Sequence, residues 1–156
     1  METRLPDDFS AFLKSLNENA VEYLLVGGYA VSYHGYARTT GDIDVWVRQS
    51  PENAVRVVEA LRAFGFATPD LTPDLFLVAD RIVRMGLPPY RIEILTSIDG
   101  VDFEACWSER ETSDWDGLAV PVLSLARLRE NKRASGRPKD LADLDALPHP
   151  DAPPAP

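Results

Sequence analysis

The chain is poor in the residues that most often build metal centres and covalent bridges. Of its 156 residues one is cysteine, Cys106, and two are histidine, His34 and His149. A single cysteine excludes an internal disulfide and any cysteine-based zinc site. Two histidines leave little for an imidazole-based centre. No apolar run approaches the roughly 20 residues of a membrane span, so no membrane partner is expected. The opening Met1-Glu2-Thr3-Arg4-Leu5-Pro6 lacks a basic-then-apolar signal pattern, which points to the cytoplasm. Positive charge is short as well: 16 Lys and Arg stand against 25 Asp and Glu, a net charge of −9. That balance argues against broad nucleic-acid binding. What remains is enough chain for one compact domain with a core.

The pattern along the chain alternates helix and strand signals. Residues 7–19 read as a helix opened by Asp7 and Asp8 after Pro6, with Phe9, Phe12, Leu13 and Leu16 as its apolar stripe. Residues 22–27 read as a strand, 28–36 as a short helix and 43–48 as a second strand. Pro51 opens a helix to about Phe64, with Val55, Val58, Ala60 and Leu61 expected inward and Gly65 near its end. Residues 66–80 give no clear pattern beyond two Pro-Asp turns. Residues 81–86 and 91–96 alternate as a hairpin around Pro88-Pro89, and Phe103 to Arg110 is a short helix. Glu111 to Val122 holds a strand or hairpin turning at Asp116-Gly117. Ser124 caps a helix ending at Gly136, and Pro138 starts the last one. After Leu147 the chain turns proline-rich with no reason to pack. The expected organisation is one domain over 1–147 and a disordered tail over 148–156, with no internal repeat.

Two aspartates carry the chemistry. In Gly41-Asp42-Ile43-Asp44-Val45-Trp46-Val47, period-2 alternation puts Asp42, Asp44 and Trp46 on one face and Ile43, Val45 and Val47 on the core side. Two carboxylates held about 7 Å apart repel unless a cation lies between them, and hard oxygen ligands suit Mg²⁺. A solvated strand edge protected by charge is the competing reading. Upstream, the apolar run Tyr23-Leu24-Leu25-Val26 ends in Gly27-Gly28, and a helix-compatible stretch follows. Strand, tight glycine turn and helix start present unpaired N–H groups to an anion, and glycine lets a phosphate approach the backbone. Arg38-Thr39-Thr40 then leads into the Asp strand. One short unit thus offers a phosphate cradle, a cation, hydroxyls and two metal-ligand carboxylates. His34 is either a polar residue facing this site or a packed, satisfied histidine.

A second concentration of charge lies at Arg127, Arg129, Lys132, Arg133, Arg137 and Lys139, against Glu130 alone. It reads either as a solvated helix face or as phosphate contacts to a nucleotide or a polynucleotide acceptor.

Val26-Gly27-Gly28 followed by Asp42-Ile43-Asp44-Val45 resembles the signature of the polymerase-β-like nucleotidyltransferase superfamily. The fuller string, from Gly28-Tyr29-Ala30 through His34-Gly35 and Arg38-Thr39-Thr40-Gly41 to Asp44, resembles its small bacterial branch of minimal nucleotidyltransferases and AbiEii-type toxin enzymes. Tyr90-Arg91-Ile92-Glu93-Ile94 looks like the strand with the third carboxylate, and Leu128 to Leu144 like the branch's basic helix pair. The resemblance covers most of residues 20 to 147. It implies an α/β (α+β) fold, a mixed sheet with flanking helices, and Mg²⁺- or Mn²⁺-dependent transfer of a nucleotidyl group from an NTP to an acceptor hydroxyl. Asp42, Asp44 and Glu93 would be the catalytic and metal-binding carboxylates. Gly27, Gly28, Arg38, Thr40, Lys132 and Asp140 would hold the nucleotide, with Lys132 as the phosphate-neutralising cation. The acceptor would be a tRNA, a protein side chain or a small molecule, and a cognate toxin or antitoxin protein would be a partner.

One position departs from the pattern. The third acid is usually Asp, and here it is Glu93, whose competing reading is a surface residue paired with Arg91. Asp80 and Asp99 are the substitutes should Glu93 not serve. Asp140, in Lys139-Asp140-x-x-Asp143, matches the branch motif and equally suits the first turn of a helix. The alternative function is a catalytically weak binding module of the same fold, antitoxin-like, acting through a partner protein.

Overall fold

In a computed structural model, residues 5–37, 41–86 and 90–149 are described. Thirteen elements follow one another: α1 (Asp7–Glu18), β1 (Tyr23–Val26), α2 (Gly27–Tyr33), β2 (Asp42–Val47), α3 (Pro51–Phe64), a 3-10 turn (Pro73–Phe76), β3 (Ile82–Met85), β4 (Arg91–Leu95), α4 (Phe103–Ser108), β5 (Glu111–Trp115), β6 (Leu118–Val122), α5 (Leu125–Ser135) and α6 (Pro138–Ala146). The strands form one six-stranded mixed sheet in the order β3-β4-β2-β1-β6-β5. β2 runs parallel to β4 and β1 parallel to β6, while the other pairs are antiparallel. The whole is a single α/β domain, a mixed sheet with flanking helices.

Apolar periodicity explains how the layers close. α1 buries Phe9, Phe12, Leu13 and Leu16, and lies against α3 through Phe12 on Phe64 and the Ser15 hydroxyl, which donates to the Ala60 carbonyl at 2.7 Å. α3 starts where Ser50 accepts from the Asn53 amide, with Pro51 in its first turn. Its inward stripe is Ala54, Val57, Val58, Ala60 and Leu61. Val55, expected inward, is 45% exposed. A helix turns about 100° per residue, so Val55 falls off the face that repeats through Ala54, Val57, Val58 and Leu61.

β1 is buried along its whole length because it is paired on both edges and covered on both faces. β2 alternates as expected, with Ile43, Val45 and Val47 in the core. Trp46 shares the face of the carboxylates but is itself buried. Phe103 of α4 meets it edge-on at 5.0 Å, and its indole N–H donates to the Thr96 carbonyl at 3.3 Å. This end of the face is therefore closed.

The segment without clear pattern, 66–80, holds the 3-10 turn and buries Phe76. β5 and β6 form the expected hairpin, turning at Asp116-Gly117. Pro88-Pro89 and residues 150–156 of the tail lie outside the described residues. No helix among the described residues is long and apolar enough to cross a membrane.

Candidate functional site

Sheet register brings three separated segments into one row. Val26 of β1 lies opposite Asp44 of β2, and Asp44 lies opposite Glu93 of β4. Asp42, two residues earlier on the same face, lies opposite Arg91. Gly27 follows Val26 at the turn into α2 with φ +68°, and a Cβ there would come 2.1 Å from Asp44 Oδ2. Only glycine leaves room for that carboxylate and also takes the left-handed backbone without strain. The row forms one wall of a cavity of about 720 Å³. β3, β4 and their following loop form a second wall, and α5 and α6 a third.

The loop after β4 is tied down. Asn131 donates to the Asp99 carbonyl at 3.0 Å and the Ser135 hydroxyl to the Asp99 carboxylate at 3.0 Å. Gly100 lies so close to α5 that a Cβ there would be 2.4 Å from that of Ala134. His34 is the packed, satisfied histidine of the two sequence readings. Its Nε2 is 2.7 Å from the Leu123 carbonyl oxygen, and its side chain is nearly inaccessible.

Charge is unevenly compensated in the carboxylate row. Asp44 Oδ1 is shielded from solvent with no hydrogen-bond partner among the described residues. Burial pushes the Asp44 carboxyl up to about 7, helped by the Glu93 carboxylate that it hydrogen-bonds and by the charge of Asp42, against the opposing charge of Lys139. Burial alone would raise Glu93 too, but hydrogen bonds from Asp44 and Arg84 and the charges of Arg84 and Arg91 hold it below its usual value. The two carboxyls thus share a proton that resides on Asp44. Arg84 Nε donates to Glu93 Oε1 at 2.9 Å, while Arg91 reaches Asp42 at 3.3 and 3.4 Å. Glu93 is paired with an arginine, but with Arg84 of the neighbouring strand rather than Arg91.

The C-terminal helix pair is differently arranged from the sequence expectation. Lys132, expected as the phosphate-neutralising cation, is only 4% exposed in the cavity wall. Its Nζ lies 3.3 Å from Asp140 Oδ1 and 3.1 Å from Asp143 Oδ2. Asp140, fully buried, also accepts from Arg137 Nε at 2.6 Å, Arg137 Nη2 at 3.2 Å and the Arg137 amide at 3.3 Å. Burial alone would raise Asp140, but Arg137 and Lys132 hold it low. Asp140 therefore takes the helix-start role of the two sequence readings, capping the first turn of α6, and it also lines the cavity. Arg127 is spent on Glu109 at 2.6 Å and Glu130 at 3.1 Å. Arg129 closes the end of α6 by donating to the carbonyls of Leu144, Leu147 and Pro148. Much of the basic run is thus consumed inside the protein.

Of the residues singled out in the sequence, Gly27, Gly28, Asp42, Asp44, Glu93, Lys132 and Asp140 meet around the one cavity. Arg38 and Thr40 lie outside the described residues. Asp80 and Asp99 also line the cavity, Asp80 accepting from the Ser97 hydroxyl at 2.8 Å. The sequence reading passed over Arg84, while Arg137 and Lys139 entered it only as members of the basic run. Arg84 becomes visible only once β3 is registered on β4, opposite Glu93. Cys106 is the buried residue of α4, and burial pushes its thiol up to about 11, away from reactive thiolate chemistry.

The donor set fits a hard divalent cation. Asp42, Asp44 and Glu93 offer carboxylate oxygens alone, the ligand type of Mg²⁺ and Mn²⁺, and the orphaned Asp44 Oδ1 is a buried acceptor that a cation would satisfy. Among the described residues no three acidic, histidine or cysteine side chains are already gathered as a metal cage. Asp42 and Glu93 are turned to Arg91 and Arg84 instead.

No protein-family model matches the chain, and no curated protein matches it. Solved structures do. One is a protein of Thermotoga maritima assigned provisionally as a nucleotidyltransferase; it superposes with a TM-score of 0.61 at 17% identity, over 92% of this chain and 94% of that one. The likeness shows a nucleotidyltransferase-like fold.

Proposed function

We propose that the protein is a metal-dependent nucleotidyltransferase that moves a nucleotidyl group from an NTP to an acceptor hydroxyl. The observation that carries this reading is the row Gly27–Asp44–Glu93, three adjacent strands wide, along a cavity large enough for a nucleotide, with one buried Asp44 oxygen left without a hydrogen bond. Asp42, Asp44 and Glu93 would hold Mg²⁺ or Mn²⁺, which when bound supplies charge neutralisation for the in-line displacement. Gly27 and Gly28, bare of side chains, let the β- and γ-phosphates approach the backbone. Glu93, kept ionised by Arg84, accepts a proton from the acceptor hydroxyl. Asp44 must give up the proton it shares with Glu93 before either carboxylate is free to act. The AbiEii-type toxin branch, a toxin or antitoxin partner and a cytoplasmic setting belong to the same reading through the sequence resemblance. The acceptor stays within the classes of tRNA end, protein side chain and small molecule.

The test is direct. Labelled NTPs, Mg²⁺ or Mn²⁺ and cell extract are incubated with the protein, and the fraction that gains label names the acceptor. Asp42→Asn, Asp44→Asn and Glu93→Gln should each abolish or strongly reduce labelling, with Glu93→Gln leaving NTP binding mostly intact. Full activity in Glu93→Gln would move the third carboxylate to Asp80 or Asp99.

A second reading has its own support. The ion pairs Arg91–Asp42 and Arg84–Glu93 occupy the carboxylates that a metal would use. In a binding module acting through a partner protein they would be permanent. Metal-independent capture of that partner, with no labelling under any condition, would favour it.

A further inference from the structure

Asp42, Asp44 and Glu93 crowd one wall of the cavity, and two arginines answer them across the sheet. Arg84 of β3 lies opposite Glu93 and donates from Nε to Glu93 Oε1 at 2.9 Å. Arg91 of β4 lies opposite Asp42 and reaches it at 3.3 and 3.4 Å. These guanidiniums supply positive charge that neighbouring carboxylates need.

The two ends of the Arg84–Glu93 pair differ in freedom. The Glu93 side chain is 16% exposed and sits on an inner strand, while that of Arg84 is 59% exposed on the outer strand of the sheet. Arg84 can turn into solvent about its own side-chain torsions, with β3 held by its ladder to β4 and by buried Met85. The Lys132 cluster, buried at both ends of each ion pair, has no such exit. Glu93 cannot serve a guanidinium and a divalent cation equally well, because their like charges would be forced against each other on one carboxylate. Among the described residues no metal cage is yet gathered. Glu93 has to leave Arg84 before it joins Asp42 and Asp44 as a ligand.

We infer that Arg84 is a self-inhibitory latch: a tethered cation on the outer strand that holds Glu93 in place of the metal and swings out to solvent when the metal site assembles. This rests on the metal-dependent reading above and adds regulation to it. Apparent metal affinity is the intrinsic affinity reduced by the fraction of molecules in which Arg84 is released. The site therefore loads above a cation threshold that one ion pair sets, and the same pair keeps Glu93 ionised until then.

Calorimetric titration of the intact protein with Mn²⁺ alone, checked by loss of the EPR signal of free Mn²⁺, tests the latch. Arg84→Met should bind Mn²⁺ about tenfold tighter than the parent. Arg91→Met should change the affinity much less, because its pair is longer and open to solvent at both ends. Arg84 is exposed on an edge strand, so circular dichroism and thermal unfolding of Arg84→Met should stay close to the parent's. Nitrogen-15 NMR of the arginine Nε–H groups reads the latch itself, with the Arg84 signal assigned by its loss in Arg84→Lys. Saturating Mg²⁺ should move that signal to the position and fast solvent exchange of a free arginine. Unchanged or weaker Mn²⁺ binding by Arg84→Met overturns the latch. So does equal tightening in Arg91→Met, which would report only a lost positive charge, and so does an Arg84 signal that Mg²⁺ leaves unaltered. With Asp44→Asn abolishing Mn²⁺ binding, each of these results leaves the metal-dependent reading standing. If neither the parent nor Arg84→Met binds Mn²⁺, that reading falls and takes the latch with it.

Discussion

Two clusters of carboxylates share one cavity and are treated in opposite ways. Around Asp140 and Asp143 the protein supplies an ammonium, a guanidinium and a backbone N–H, so Asp140 is held ionised and Asp143 lies in an ion pair with Lys132. Around Asp44, among the described residues, it supplies no ion-pair partner and crowds in Glu93 and Asp42; one oxygen of Asp44, like one of Asp143, makes no hydrogen bond, but only that of Asp143 faces an ammonium. The first arrangement is how a fold keeps buried charge for its own integrity. The second is how a fold reserves a place for charge that arrives from outside. Acidic residues in a pocket are thus not equivalent: those around Asp140 are compensated within the protein, and those around Asp44 are where the proposed metal would bind.

The comparison breaks if the Asp140 cluster proves dispensable. Lys132→Met strips Asp143 and Asp140 of their shared ammonium and should cost about 3 kcal/mol in denaturant unfolding, with Asp143→Asn in the same chain recovering part of it. Equal stability of Lys132→Met and the parent would show that the cluster does not hold the helix pair together.

Gly27→Ala comes next in size. A methyl at φ +68°, 2.1 Å from Asp44 Oδ2, should cost about 2 kcal/mol and displace the carboxylate, so that Mg²⁺-dependent NTP binding is lost together with stability. A variant that binds NTP normally would show that the glycine turn and Asp44 are not packed as one unit.

Asp44→Asn should go the other way. Its folded carboxyl is raised from 3.8 to about 7, so the proton is held more tightly in the folded than in the unfolded chain. The associated stability is complete below about pH 4 and is lost as pH rises through about 7. Glu93, lowered from 4.5, contributes the reverse dependence at more acid pH, below this window. Without metal, the parent should therefore lose about 2–3 kcal/mol between pH 5 and pH 8, and Asp44→Asn should not. Added Mg²⁺ at pH 8 should restore the parent alone. Parallel pH profiles of the two proteins would contradict the strained state assigned to Asp44.

Arg91→Ala should have the smallest effect. Its partner Asp42 and its own side chain are 31% and 42% exposed, so the pair is worth less than about 1 kcal/mol in thermal unfolding. A loss as large as that of Lys132→Met would erase the distinction between the two clusters.

Most elements were legible because their local signals agree with their place in the sheet. Pro51 with Gly65, Ser124 with Gly136, and Asp116-Gly117 mark boundaries that tertiary packing leaves intact. The pairing of Asp42 with Asp44 on one face follows from strand periodicity alone. What stayed hidden depends on contacts far apart in sequence. The neighbours of β2, the Arg84–Glu93 pair and the burial of Trp46 under Phe103 follow from strand order and from α4, which no local pattern encodes. Lys132 illustrates the limit best. Its helical face predicts that it lies beside the core, but only the fold of α6 onto α5 reveals the two carboxylates that take its charge.

The close approach of Gly27 to Asp44 also fixes an order of events for the descendants of this sequence. While the aspartate is present, any side chain at position 27 collides with it, so the glycine cannot be the first of the two to change. Loss of the carboxylate must come earlier, and even then the left-handed backbone disfavours replacement. A drifting copy of the chain would therefore shed its acid while the glycine lingers beside the gap, a fossil of the charge it once made room for.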